Sequence, residues 1–234
     1  MQGSVARAEM NTPKLAMSWY LPLMRLLGMG KRLDQLPSLF ENVAFIVWNY
    51  DRCLEHFLAT AIMDYFNVDA NAAISAIERL QIVHPYGVAG RLPWQAGTGP
   101  GAQFGDDSPP LREIADSILT FTESAEEGVR EQARDLIQNA QTLVCMGFGF
   151  LPQNMSLLTV THPSSVKRVF ATTLNVGDDD VAIVKAEISE MIKCDPWFQG
   201  WVSHGREDTV FRFYAERGTC RELMDHNWLR LTRD

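Results

Sequence analysis

The sequence predicts an α/β protein in which helices flank a parallel β-sheet. Four short apolar runs lack the polar alternation of half-exposed strands, which is typical of parallel strands buried on both faces. Helical patterns separate these runs, and strands that alternate with helices form parallel sheets with crossover connections. The predicted strands are Val43–Trp48, Leu80–His84, Thr142–Met146 and Val166–Ala171.

Helices are predicted between and after these strands, where apolar residues recur at helical spacing. Residues 70–79 follow the first predicted helix, and residues 111–121 and 126–140 precede the third strand. A further helix follows the fourth strand, and Asp178–Asp180 lie at its start, where the helix dipole favours negative charge. The apolar positions of the first helix are Cys53, Leu54, Phe57, Leu58, Ala61, Ile62 and Tyr65.

The chain is expected to have a central α/β core between two flanking segments. We predict an N-terminal helical segment over 1–42, the core over 43–193, and a Trp-rich C-terminal appendage over 194–234. Within the appendage, Thr209–Tyr214 is a candidate strand. The core includes a long loop at 85–110, which holds five of the eleven prolines and six of the sixteen glycines. Loops of this length in compact domains are commonly functional, so a cover over a site is expected.

The composition of the chain limits the partners that it is expected to bind and indicates where in the cell it is expected to be. The net charge of −8 over 234 residues disfavours nucleic-acid binding by the chain itself. Four cysteines contain no CxxC pair, so we expect reduced thiols and no structural metal site. The sequence shows neither a secretory signal nor an apolar stretch long enough to span a bilayer, so a cytoplasmic protein without membrane association is expected.

Polar groups and glycines follow three of the predicted strands, and ligands of parallel α/β sheets bind at the carboxyl ends of strands. Asn49 and Asp51 follow the first strand, and His84 ends the second. A histidine in this position, before Gly87 and the long loop, fits a general base. The structural alternatives are that Asp51 caps the next helix, Asn49 shapes the turn, and His84 is a core or turn histidine.

The third strand ends in a glycine-containing turn. Gly147, Phe148 and Gly149 follow it, and Asn154 lies a few residues beyond. Two glycines allow a backbone to approach a nucleotide closely, although an ordinary tight turn would also explain them.

Together these strand endings resemble the sirtuin-like family, particularly the bacterial NAD-hydrolysing branch without a zinc ribbon. The resemblance covers residues 40–175. It is carried by the segments Trp48-Asn49-Tyr50-Asp51-Arg52-Cys53-Leu54-Glu55-His56-Phe57, Val83-His84-Pro85-Tyr86-Gly87 with Leu92-Pro93-Trp94, and Met146-Gly147-Phe148-Gly149-Phe150 with Asn154.

The resemblance implies a Rossmann-like core that binds NAD as its substrate and needs no metal. Asn49 would contact the nicotinamide-side ribose, Asp51 would recognise the carboxamide group of nicotinamide, and His84 would be the general base. It further implies cleavage of the nicotinamide–ribose bond, in the setting of bacterial antiviral defence. The residues that it assigns to NAD binding are Asn49, Asp51, Gly87, Gly147, Phe148, Gly149 and Asn154.

The chain departs from the family pattern in three respects. No strand with a Gly-rich phosphate-binding turn precedes Val43, so the first βα unit is missing from the pattern. Two residues separate His84 from Gly87, whereas the corresponding His and Gly are adjacent in deacetylating sirtuins. The zinc cysteines are also absent. Plain NAD hydrolysis is therefore favoured over deacetylation, with the missing turn supplied by a homo-oligomer or a partner protein. The alternative is a catalytically inactive sirtuin-like interaction or scaffold protein.

Overall fold

The computed structural model describes residues 13–97, 101–102, 104–105, 111–116, 118, 127–196 and 210–233. The chain divides into two compact units, Met1–Ala125 and Glu126–Asp234. This division places a boundary inside the segment predicted as one core. Each unit contains a parallel sheet with helices, so the predicted α/β class is confirmed, and it is compatible with a Rossmann-like fold.

The first unit contains a two-stranded parallel sheet. Ile46 of the first strand is in register with Val83 of the second. Between residues 13 and 43 the described chain forms helices and turns, and no strand. The helices are α1 (Pro13–Ala16), α2 (Tyr20–Gly28), a 3₁₀ helix (Leu33–Ser38), α3 (Cys53–Phe66), α4 (Ala70–Ile77) and α5 (Leu111–Ala115), and the strands are β1 (Ala44–Ile46) and β2 (Gln81–Val83).

Helices α3 and α4 form the crossover from β1 to β2. The apolar face of α3 is buried, with Leu58 and Ile62 fully inaccessible. Asn67 ends α3 in the left-handed region at φ 51°, a conformation common at helix C-termini. Asp69 starts α4, since its side chain accepts a hydrogen bond from the Ala72 amide at 2.9 Å. These caps fix where the crossover turns.

The second unit contains a four-stranded parallel sheet in the order β3-β4-β6-β5. Strand β4 lies in its interior, and Val169, Phe170 and Ala171 are fully buried. The ring of Phe170 stacks on that of Tyr214 on β6, with centroids 4.7 Å apart. The strands are β3 (Thr142–Cys145), β4 (Arg168–Thr172), β5 (Asp195–Pro196) and β6 (Val210–Glu216), and the helices are α6 (Glu127–Asn139), α7 (Pro152–Leu158), α8 (Asp178–Ile192), α9 (Cys220–His226) and α10 (Trp228–Thr232).

The segment 194–234 contributes a strand to the sheet of the second unit. Strand β6 overlaps the candidate strand Thr209–Tyr214 and lies between β4 and β5. Trp197 and Trp201 lie outside the described residues, whereas Trp228 begins α10. None of the helices in the described part of the chain is both long and apolar enough to cross a membrane.

The described parts of the long loop make defined contacts within the first unit. Gly87 forms an antiparallel bridge with Ile118, and Arg91 forms a parallel bridge with Gly101. The Phe104 ring stacks on His56 of α3, with centroids 3.9 Å apart and planes inclined by 12°. Two loop segments are thereby tied to other parts of the first unit.

Candidate functional site

The carboxyl ends of β1 and β2 are neighbours because the two strands pair in parallel. The turn after β1 carries Asn49 and Asp51, and His84 directly follows β2. The Ala89 amide donates a hydrogen bond to the Tyr50 carbonyl at 2.7 Å, which joins the two turns. The structure therefore brings the three residues predicted for catalysis to the same edge of this small sheet.

Asp51 has a structural role at this edge. Its Oδ1 accepts a hydrogen bond from the Cys53 amide at 3.0 Å, so the carboxylate satisfies a free N–H at the start of α3. Burial, together with the negative charge of Asp51, raises the pKa of the Cys53 thiol to about 12. Cys53 is therefore a protonated, unreactive thiol at neutral pH. Asn49, by contrast, is exposed at the tip of the turn.

Three charged or titratable side chains form a buried cluster beside this turn. Glu55 Oε1 lies 2.5 Å from Arg52 Nη2 and 3.0 Å from His84 Nε2. The side chain of Glu55 is 1% exposed, and those of Arg52 and His84 are each 9% exposed. Arg52 and Glu55 come from the start of α3, three residues apart, so a single turn of helix delivers both to the end of β2.

The charges in this cluster favour an ionised Glu55. Burial raises the pKa of Glu55, but the hydrogen bond with His84 and the charge of Arg52 oppose it, and the net effect lowers the pKa. Burial lowers the pKa of Arg52, while its contacts with Glu55 raise it. The guanidinium remains charged because an arginine titrates far above neutral pH. The cluster therefore contains a buried ion pair with a histidine attached to it.

Each member of the cluster also has one buried polar atom without a hydrogen-bond partner in the part of the chain that the structure describes. These atoms are Arg52 Nε, Glu55 Oε2 and His84 Nδ1. Buried polar groups are nearly always paired, and leaving one unpaired costs about 1–3 kcal/mol. Three such atoms in one group of contacting side chains indicate a place built to receive further polar groups.

Gly87 is required by the backbone of the turn that follows His84. Its φ of +78° lies in the left-handed region, which other residues rarely adopt. Its amide donates to the His84 carbonyl at 3.1 Å, closing the turn. The backbone of the turn therefore accounts for a glycine at position 87, and no bound ligand is needed to explain it.

The glycine turn after β3 lies in the second unit. Gly147 has φ +62°, and its amide donates to Thr172 Oγ1 on β4 at 2.8 Å. A Cβ at Gly149 would make an ordinary van der Waals contact with the Leu151 side chain at 3.8 Å. The backbone conformation therefore favours glycine at position 147, whereas the described residues would accommodate a Cβ at position 149.

The other two residues predicted near this turn have different environments. Phe148 packs edge-on against the ring of Phe150, with centroids 5.0 Å apart. Asn154 is buried in the first turn of α7, a helix that begins at Pro152. The structure thus groups Gly147, Phe148, Gly149 and Asn154 around the end of β3, in the second unit.

Sequence reasoning missed Arg52 and Glu55 as members of the site. The available signal was Glu55 itself, a charged residue among the apolar positions Leu54 and Leu58 on the buried face of α3. Charged residues are almost never fully buried unless they are paired, so such a position predicts a buried partner. One partner, Arg52, is three residues away at the start of the same helix, whereas the other, His84, directly follows β2 and is not identified by the sequence alone.

The described ranges contain no group of three or more His, Cys, Asp or Glu side chains placed to hold a metal ion. Comparison of the chain with protein-family models, curated proteins and solved structures returned no match.

Proposed function

We propose that this chain is a sirtuin-like NAD-binding protein that cleaves the bond between nicotinamide and ribose. The observation that carries the proposal is His84, which lies at the carboxyl end of β2 with one ring nitrogen bonded to Glu55 and the other without a hydrogen-bond partner among the described residues. A positioned histidine with a free nitrogen beside an Asn-x-Asp turn supplies a general base and polar groups for a ribose. The resemblance of these segments to the sirtuin-like family supplies the identity of the substrate.

The proposed reaction is hydrolysis of NAD to nicotinamide and ADP-ribose. The carbon–nitrogen bond breaks with its electron pair moving to the nicotinamide ring, which leaves as a neutral molecule. A water oxygen forms the new bond to the ribose carbon, and its proton passes to His84 and then to solvent. The transition state resembles an oxocarbenium ion, so orientation and a nearby base contribute more than a strong nucleophile.

Each predicted residue keeps the role that the resemblance gives it. Asn49 contacts the nicotinamide-side ribose, and Asp51 reads the carboxamide while also capping α3. The described residues 13–43 form no strand with a phosphate-binding turn, so we propose that a second copy or a partner protein supplies these donors.

The proposal is tested by measuring nicotinamide release from NAD by the whole chain and by two histidine variants. His84→Ala should lower the rate by about 10²–10⁴-fold, the usual contribution of a general base. His162→Ala is the matched control, since His162 is exposed and its side chain hydrogen-bonds to the neighbouring Thr161. Equal rates for the wild type and His84→Ala would refute the assignment of the base.

The second candidate, a catalytically inactive sirtuin-like scaffold, predicts a different outcome. A folded wild-type chain would then release no nicotinamide, and His84→Ala would behave like the wild type in every assay except unfolding. The buried ion pair of Arg52 with Glu55 supports a structural role for this region, which is the observation in favour of this candidate.

A further inference from the structure

We propose that Glu55 is a positioning residue that holds the proton of His84 on Nε2 and thereby presents Nδ1 as the proton acceptor of the site. The reaction in which Nδ1 acts rests on the proposed function, whereas the position of the proton is a property of the folded chain alone. The two claims can therefore be tested separately.

The geometry at Nε2 determines which ring nitrogen carries the proton. Glu55 Oε1 lies 3.0 Å from His84 Nε2, within hydrogen-bond distance. An ionised carboxylate can only accept hydrogen bonds. If Nε2 lacked a proton, two lone pairs would face each other at this distance, so Nε2 must be the donor.

Arg52 makes a neutral imidazole the favoured partner. Its guanidinium lies 2.5 Å from the same oxygen and already balances the charge of Glu55. With a neutral ring, the three buried side chains carry no net charge, which avoids the cost of burying an unpaired ion. A neutral imidazole with its proton on Nε2 has a lone pair on Nδ1.

Nδ1 is the nitrogen that lacks a partner. It is buried, and it has no hydrogen-bond partner within the described part of the chain. A buried lone pair of this kind accepts a proton or a hydrogen bond from a hydroxyl group or a water molecule. A hydroxyl reaches it only when neighbouring side chains move aside, because Nδ1 is enclosed.

The arrangement resembles in principle the carboxylate–histidine pairs of hydrolases, in which the carboxylate fixes the tautomer without being protonated. In this chain the proton from the attacking water would pass to Nδ1, giving a doubly protonated ring. Neither Glu55 nor Arg52 would gain or lose a proton in this step. Glu55 thus acts on the reaction only through His84.

The first test is the tautomer of His84 in the wild-type chain without NAD, read from the nitrogen NMR shifts of the imidazole ring at neutral pH. His84→Gln identifies the signal among the five histidines. We expect a protonated Nε2 and an unprotonated Nδ1. A ring with its proton on Nδ1 would overturn the proposal, and this measurement needs no folded Glu55 variant.

The second test compares Glu55→Gln with Glu78→Gln, an exposed glutamate in the same unit. Gln can present either its oxygen or its NH₂ group to Nε2, so Glu55→Gln should give a mixture of tautomers. Nicotinamide release should fall by about 10- to 100-fold, the usual range for residues that orient another group. Glu78→Gln should change neither readout.

The outcomes separate the two proposals. The expected tautomer in a wild-type chain that releases no nicotinamide supports the positioning role and refutes the proposed function. An unchanged tautomer and an unchanged rate in folded Glu55→Gln would refute the positioning role.

Discussion

Asp51 and Cys53 are joined by a hydrogen bond of 3.0 Å from the Cys53 amide to Asp51 Oδ1, so a carboxylate assigned to substrate recognition also caps the first amide of α3, beside the N-cap residue Arg52. The two roles make different demands on the side chain. Capping needs an acceptor oxygen, which Asn also provides, whereas a negative charge is specific to Asp.

The first prediction separates these roles by comparing Asp51→Asn with Asp51→Ala. Asp51→Asn should keep the stability of the wild type and lower nicotinamide release, because the cap survives and the charge does not. Asp51→Ala should lower both the stability and the rate of nicotinamide release, and the free energy of unfolding should fall by about 0.5–2 kcal/mol. Urea unfolding and the release assay measure the two effects, and an Asp51→Ala variant as stable as the wild type would show that the cap is unimportant.

The second prediction concerns the ion pair of Arg52 with Glu55. Arg52→Met and Glu55→Ala should each lower the free energy of unfolding by about 3–5 kcal/mol, because each leaves a buried charge without its partner. The double variant should be more stable than the sum of the single losses implies. A double-mutant cycle measures this coupling, and additive losses would mean that the pair does not interact.

The third prediction is the pH dependence of stability due to Glu55. Its folded-state pKa is lowered, so the unfolded chain binds more protons than the folded chain as the pH falls. The stabilisation is therefore present above the unfolded pKa of about 4.3 and is lost as the pH falls through the folded pKa. Urea unfolding of the wild type and of Glu55→Gln between neutral and acidic pH should show that the difference in their free energies of unfolding shrinks on acidification. A difference that grows on acidification would contradict the predicted direction of the pH dependence.

The fourth prediction concerns the contact between His56 and Phe104. Burial lowers the pKa of His56, and Phe104 covers one face of its ring. Phe104→Ala should therefore raise the pKa of His56 toward its ordinary value of about 6.5, as followed by NMR titration. Leu111→Ala, a change at an exposed residue of the first unit, is the control. No shift in Phe104→Ala would show that other residues bury His56.

The sequence was sufficient to predict the parallel α/β class and the polar ends of β1 and β2. Apolar runs mark the strands, although they overestimate their lengths. The run Val43–Trp48 contains only Ala44–Ile46 as strand, although the Val47 amide still donates a hydrogen bond to the Val83 carbonyl of β2 at 2.8 Å, because apolar character continues into the turn after the strand. The alternative that Asp51 caps α3 was also visible from its position before a helix.

Other features depend on contacts between distant segments and could not be predicted. The place of β6 between β4 and β5 is decided by non-local pairing, which local periodicity does not record. Helix α7 has seven residues, too few for a periodic pattern to stand out. The partnership of Glu55 with His84 spans 29 residues, and only the folded crossover through α3 and α4 brings them together.

Incubating the 234-residue chain with millimolar NAD and quantifying nicotinamide and ADP-ribose tests whether the chain hydrolyses NAD. The high concentration offsets the weak binding expected without phosphate-binding donors from a Gly-rich turn. NAD hydrolysis with His84 as the base should give the two products in equal amounts, at a rate reduced about 10²–10⁴-fold in His84→Ala and unchanged in His162→Ala. Absence of both products with the folded wild-type chain, or equal rates for the wild type and His84→Ala, would contradict it.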